Sequence, residues 1–71
     1  GNGQASEQKK RIDTLVIGKT YKQCSDVFYP SNVKILDIKK DQVNCLFIEK
    51  WGTWRWTYPK SWVLMWINAC D

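Results

Sequence analysis

Residues 33–58, VKILDIKKDQVNCLFIEKWGTWRWTY, decide the fold class of this chain. Within them, two runs rich in β-branched and apolar residues, 33–39 and 43–50, are separated by the short polar segment 40–42. Such runs favour strands, and the short connection between them predicts a β-hairpin. The chain is therefore expected to be built from antiparallel β-structure.

The residues that follow this hairpin predict two further strands. A turn at 51–53 contains Gly52, which can adopt a positive φ. Residues 54–58 (WRWTY) alternate between aromatic and other residues, a pattern typical of a strand. Because proline interrupts a strand, 59–61 are predicted to form one turn of 3₁₀ helix. Residues 63–68 (VLMWIN) are then predicted as a short fifth strand.

The residues before the hairpin predict one more strand and a long loop. Residues 18–24 (GKTYKQC) are predicted as the first strand of the chain. The loop follows at 25–32, where Pro30 and several turn-forming residues exclude a central strand. Residues 7–17, with Ser6 as a cap, fit a short helix and an extended lead-in equally well, since their helical apolar spacing is opposed by β-branched residues.

The order of these elements resembles the SH3-like barrel superfold, which includes Tudor and chromo-like domains. Residues 58–63 (YPKSWV) resemble the turn before the last strand of an SH3 domain, and the resemblance spans 18–70. It implies an all-β, five-stranded barrel that closes on itself and so removes its edges. We do not infer binding of proline-rich peptides from this resemblance. SH3 domains that bind such peptides have an acidic first loop, whereas the loop at 25–32 has a single acid, Asp26. An OB-like five-stranded barrel is the alternative.

Length and charge divide the chain into an arm and a domain. The 71 residues, with a formal net charge of +4, are enough for one domain. We expect 12–71 to form the barrel and 1–11 to form a flexible basic arm, because apolar residues are too scarce there to offset the entropy of ordering. Three cations against one acid give the arm half of the net charge. These cations are Lys9, Lys10 and Arg11.

Three isolated cysteines, Cys24, Cys45 and Cys70, and the lack of histidine limit the metal and redox chemistry. An odd number argues against a closed disulfide framework, and a tetrahedral zinc site needs four ligands. We therefore expect no metal and no cofactor, and interpret the cysteines as small buried side chains in a reducing compartment. A polar start and the lack of a long apolar run predict a cytoplasmic protein with no membrane contact.

The sequence offers no catalytic constellation, so we do not expect an enzyme. Histidine, the commonest general base, is missing, and no glycine-rich loop opens a helix. The acids Asp37, Asp41 and Glu49 are interspersed with lysines, a pattern typical of solvated surface ion pairs.

The aromatic residues are the strongest functional signal. There are five Trp, three Tyr and two Phe, which a small barrel cannot bury together with its aliphatic side chains. Alternation places one set on the strand face that we expect to be core: Trp54, Trp56 and Tyr58. The residues that we expect to stay exposed are Trp51, Trp62 and Tyr29. Exposed apolar patches of this kind usually mark a partner site.

Nucleic-acid binding is the predicted function, since bases stack on aromatic rings while Lys and Arg contact phosphates. The basic residues expected around the exposed aromatics are Arg55, Lys60, Lys50 and Lys34. Lys9, Lys10 and Arg11 of the arm are expected to add phosphate contacts. The alternative is a protein–protein interaction module, either a patch for a partner protein or peptide, a cage for a modified lysine, or an inhibitor of a partner protein. Homodimerisation through an apolar strand face is a third reading.

Overall fold

The computed structural model describes residues 11–70, so most of the predicted arm lies outside the described residues. Four strands and one helix follow one another along the chain: β1 (Thr20–Gln23), β2 (Ser31–Lys39), β3 (Gln42–Glu49), β4 (Gly52–Pro59) and α1 (Lys60–Asn68). Neighbouring strands are antiparallel in the order β1-β2-β3-β4. The first four predicted strands are confirmed, with small displacements of their ends.

Two short turns join the last three strands of the sheet. Lys40 and Asp41 join β2 to β3, and Lys50 and Trp51 join β3 to β4. Lys40 has a φ of 53°, and Gly52, the first residue of β4, has a φ of 146°. Glycine adopts a positive φ at no steric cost, which explains its place after the second connection. The predicted hairpin and the predicted role of Gly52 are both confirmed.

The predicted fifth strand is wrong, because 63–68 lie within α1. The buried residues of α1 are Val63, Trp66 and Ile67, which have the i, i+3, i+4 spacing of a helix face. Pro59, with a φ of −58°, precedes the helix in a conformation that suits its first turn. An unbroken apolar run has no period of its own, so the run VLMWI fits a strand and a buried helix alike.

The sheet is open, with β1 and β4 at its edges, and a closed five-stranded barrel is not formed by the described residues. We call the face that α1 covers the inner face and the opposite one the outer face. The fully buried apolar residues of the sheet, all on the inner face, are Val33, Ile35, Val43, Cys45 and Phe47. An irregularity between Ile35 and Asp37 shifts the register, so Ile38 opposite Val43 returns to the inner face.

The residues before β1 contain no helix within the described chain, so the extended lead-in, one of the two alternatives for 7–17, describes residues 11–17. The Asn68 side chain accepts a hydrogen bond from the Ile12 backbone N–H (2.8 Å) and donates one to the Ile12 carbonyl (2.7 Å). The segment also contributes Leu15, which is buried, to the core. Contacts with α1 therefore replace the local hydrogen bonds that a helix would have made.

Cys24 and Cys70 form a disulfide, which corrects the interpretation of all three cysteines as free thiols. The bond joins the end of β1 to the residues that follow α1, a separation of 46 residues. Cys45 is free and buried, as predicted, and burial raises its pKa to about 11. Its thiol is therefore protonated at neutral pH.

No helix within the described residues is long and apolar enough to cross a membrane.

Candidate functional site

A cluster of five aromatic side chains fills the inner face of the sheet. Its members are Phe28, Phe47, Trp54, Tyr58 and Trp66. Phe47 and Trp54, on adjacent strands, stack with centroids 4.1 Å apart. Phe28 reaches the cluster from the β1–β2 loop and meets Trp66 of α1 edge to face at 5.2 Å. With Tyr21, which is also buried in the core, six of the ten aromatic residues serve packing, and the predicted core role of Trp54 and Tyr58 is confirmed.

Trp56 is the exception within the strand face predicted to be core. It lies opposite Cys45 in the register of β3 and β4, yet 62% of its side chain is exposed. The reason is the lack of a covering ring, since Phe28 contacts both Trp54 and Tyr58 whereas no ring of the described residues contacts Trp56. Period-two alternation therefore predicted the correct sheet face for Trp56, but the prediction that its side chain is buried is wrong.

Tyr29 and Trp51 flank a groove of about 560 Å³ at one end of the sheet. Tyr29 is 86% exposed and Trp51 is 73% exposed, which confirms the prediction that both side chains are exposed. Tyr29 lies in the loop before β2, and Trp51 lies in the turn between β3 and β4. The cross-strand pair Asn32 and Ile48 lines the groove and continues it onto the outer face. Two residues distant in sequence, both predicted as site residues, therefore border one concave site.

Charged and polar groups also line this groove. Lys50 supplies a cation, Glu49 supplies a carboxylate, and Ser31 supplies a hydroxyl group. One oxygen of Glu49 accepts a hydrogen bond from the indole N–H of Trp54 at 3.4 Å, which fixes the carboxylate at the groove wall. The groove thus joins two flat aromatic surfaces to one positive and one negative charge.

Gln23 organises the loop that carries Tyr29, a role that the sequence did not indicate. Its side chain is fully buried, and its amide N–H groups donate to the Tyr29 carbonyl (2.9 Å) and the Ser31 hydroxyl (2.8 Å). Its amide oxygen accepts from the Ser25 backbone N–H at 3.0 Å. The Ser25 hydroxyl in turn accepts from the Val27 backbone N–H. This network holds the loop in shape, so Tyr29 is preorganised beside the groove.

The outer face next to the groove carries a basic row. The strand registers place Lys34 of β2, Leu46 of β3 and Arg55 of β4 side by side, with Thr20 of β1 beside Lys34. Adjacent strands lie about 4.8 Å apart, so the backbones of Lys34 and Arg55 are separated by about 10 Å. The row nearer the groove contains Lys22, Asn32, Ile48 and Thr53.

The outer face as a whole is positively charged. Four cations against one acid, Asp37, give a net +3 in the residues that the registers place there. These cations are Lys22, Lys34, Lys39 and Arg55. Lys22 and Lys39 were missed in the sequence, although the period-two alternation of their strands places them on the same face as Lys34 once the bulge in β2 is known.

Trp62 and Lys60 lie away from the groove, in the first turn of α1. Trp62 is 50% exposed, as expected, and stacks near Tyr58 with centroids 6.2 Å apart. Tyr58 pairs with Val43, at the end of β3 opposite to Ile48. Five residues of strand separate those two positions, a distance of about 17 Å. The structure therefore does not bring Trp62 and Lys60 together with Tyr29 and Trp51.

The arm enters on the helix side of the molecule. Arg11 is exposed and precedes Ile12, whose backbone is held by Asn68 near the end of α1. Lys9 and Lys10 lie outside the described residues. Arg11 therefore starts from the helix side, and its contacts with a ligand at the groove stay a prediction.

The comparisons with known proteins find no matching family model, no matching curated protein and no matching solved structure. The resemblance to the SH3-like superfold accordingly stays a prediction. Within 11–70, no cluster of three His, Cys, Asp or Glu side chains could hold a metal ion.

Proposed function

We propose that this protein is a non-catalytic module that binds single-stranded nucleic acid across the groove and the outer face. The supporting observation is that the groove between Tyr29 and Trp51 opens directly onto a sheet face with a net charge of +3. Stacking on aromatic rings and tracking of phosphates by cations are the two parts of such an interface, and they lie next to each other here.

A strand of nucleic acid would place one base in the groove. Exposed Tyr29 and Trp51 offer π-faces for that base, and Asn32 and Ser31 offer hydrogen-bonding groups for its edge. The neighbouring sugars and phosphates would follow the outer face, where Lys34 and Arg55 flank the half-buried Leu46. This geometry suits an unpaired strand, because the base must leave any duplex to enter the groove.

A salt titration with matched tryptophan variants tests the proposal. Trp51→Ala should weaken binding of a single-stranded oligonucleotide by about 5- to 150-fold, the equivalent of one lost stacking contact. Trp62→Ala is the control, since Trp62 is also half exposed but lies at the opposite end of the sheet. With three or four phosphates neutralised, log K should fall with log salt at a slope of about −2 to −3. Absence of binding at low salt, or equal losses in both variants, would disprove the proposal.

A modified-lysine cage is the second candidate, and Glu49 is the observation that favours it. A methylated ammonium group binds between aromatic rings and is attracted by a carboxylate, and the groove contains both. Glu49→Gln separates the two functions because the expected changes have opposite signs. Removing the negative charge should strengthen oligonucleotide binding and weaken binding of a trimethyllysine peptide. An unchanged affinity for both ligands would exclude Glu49 and this groove from either function.

We also propose a test of the predicted cytoplasmic location. The disulfide between Cys24 and Cys70 opposes that prediction, since such bonds persist in oxidising compartments and are rare in the cytosol. A thiol count on the denatured protein from its source distinguishes the two locations. Oxidised protein should present the single thiol of Cys45, whereas protein from a reducing compartment should present all three thiols.

A further inference from the structure

β4 is an edge strand of the sheet, with one edge that pairs with no other strand of the described residues. The sheet order gives β4 one neighbour, β3, which pairs with it without interruption from Gly52 to Pro59. Its opposite edge has no strand partner among the described residues. The backbone N–H and C=O groups along that edge are thus available to another strand.

The other edge of the sheet is different in length and in surroundings. β1 has four residues, half the length of β4, and α1 contacts both strands. The Cys24 backbone N–H donates to the Trp66 carbonyl at 3.0 Å, and the disulfide ties the same residue to Cys70. The end of β1 is therefore tied to α1, whereas no residue of β4 before Pro59 makes a backbone hydrogen bond outside the sheet among the described residues.

β4 lacks the features that usually keep an edge strand unpaired. Edge strands are commonly protected by lysines, internal prolines or bulges. β4 contains no lysine, its proline is its last residue, and its register with β3 has no shift. At its centre Trp56 is 62% exposed on the inner-face side, and no ring of the described residues stacks on it. A long regular edge with an unpacked aromatic residue at its middle is typical of a strand that pairs with another chain.

We propose that β4 pairs antiparallel with β4 of a second copy of this chain, with a two-fold axis at Trp56. In this register Trp56 lies opposite its own counterpart. Trp54 lies opposite Tyr58 of the second copy, and Arg55 lies opposite Thr57 of the second copy. Aromatic cross-strand pairs of this kind stabilise antiparallel sheets, and no like charges face each other.

The choice of register and of a dimer follows from the sequence of β4. A two-fold axis at Arg55 would place two guanidinium groups directly opposite each other, which is unfavourable. A two-fold axis at Trp56 brings the largest number of aromatic side chains into cross-strand pairs. Because the same edge is used by both copies, the contact is self-complementary and the assembly closes at two chains. The result is one continuous eight-stranded sheet.

Sedimentation equilibrium of the full chain, freed of nucleic acid at high salt, tests the dimer. The wild-type protein should show a monomer–dimer equilibrium. Trp56→Lys and Trp56→Glu should each weaken it by about tenfold or more, because each places two like charges at the two-fold axis in place of an aromatic pair. An equimolar mixture of the two variants should recover dimers, since lysine of one copy then faces glutamate of the other.

Two controls keep the result decisive. Trp62→Lys changes another exposed tryptophan, on α1, and should leave the dimer intact. Far-ultraviolet circular dichroism of each variant should keep the shape of the wild-type spectrum, since Trp56 packs against no described ring and its replacement should leave the fold intact. A wild-type protein that stays monomeric at millimolar concentration overturns the proposal. Variants that dimerise like the wild type, or a mixture that fails to recover dimers, overturn the register. Neither outcome bears on the binding of nucleic acid at the groove.

Discussion

The two faces of the sheet are made by the same strands and have opposite characters. On the inner face of β3, Val43, Cys45 and Phe47 are fully buried under α1 and the aromatic cluster. On the outer face, the intervening Asn44 and Leu46 are only half-buried, and no helix or strand of residues 11–70 covers them. A single step along the strand therefore separates a residue that holds the fold together from one that faces solvent.

The difference separates stability from function. The inner face needs five aromatic rings and a helix to close it, so its residues are fixed by packing. The outer face has few packing demands and instead carries four cations and borders the groove. We expect substitutions on the inner face to change the free energy of unfolding, and substitutions on the outer face to change binding.

Phe47→Ala should have the largest effect, because Phe47 is fully buried and contacts four other rings. The expected cost is about 3–5 kcal/mol of unfolding free energy, close to the whole stability of a domain of this size. Leu46→Ala, one residue away on the outer face, is the matched control and should cost less than about half as much, because Leu46 is only half-buried. Urea denaturation measures both. Equal costs would mean that the outer face is covered in the folded protein.

Opening the disulfide should have the next largest effect. Replacing both Cys24 and Cys70 with alanine should lower the unfolding free energy by about 2–4 kcal/mol, since the bond closes a loop of 46 residues. Guanidinium unfolding of this double variant against the wild type gives the value. Because Cys45 is buried, Cys45→Ser is a poor control. The wild-type protein with its disulfide reduced is the control instead. A difference below about 1 kcal/mol would show that α1 is held by packing alone.

Gln23→Leu should affect stability and binding together. The change removes three side-chain hydrogen bonds around the β1–β2 loop and leaves buried polar groups unpaired, at a cost of about 1–3 kcal/mol. Oligonucleotide affinity should fall as well, because Tyr29 loses its support. Tyr29→Ala, at an exposed position, should reduce affinity while leaving stability within about 0.5 kcal/mol. If Gln23→Leu kept full affinity, the network would support the fold without organising the groove.

Neutralising the outer face should have the smallest effect on stability. Lys34→Gln and Arg55→Gln should each change the unfolding free energy by no more than about 0.5 kcal/mol. Each should also reduce the salt slope of oligonucleotide binding by about 0.7, the share of one phosphate contact on a single strand. Glutamine at Lys60, a basic residue in the first turn of α1, provides the comparison and should leave the slope unchanged. A slope that responds equally to all three changes would remove the distinction between the two faces.

The candidate site was predictable in part. Tyr29, Trp51 and Lys50 were predicted from exposed aromatic positions and nearby charge, and they border one groove. Gln23 gave no signal, because a glutamine within a strand looks like a solvent-facing residue until its burial is known. Trp62 was grouped with the groove because the sequence indicated a turn near it, whereas helix formation carries it to the other end of the sheet.

The sequence by itself determined the strands and their turns, since period-two alternation and the positions of glycine and proline are local properties of the chain. The tertiary structure alone decided three other features. It made 63–68 a helix, because an unbroken apolar run takes whichever form its neighbours can bury. It paired Cys24 with Cys70, because only folding brings residues 46 apart in sequence into contact. It left Trp56 exposed, because burial depends on what covers a residue and not on the face to which alternation assigns it.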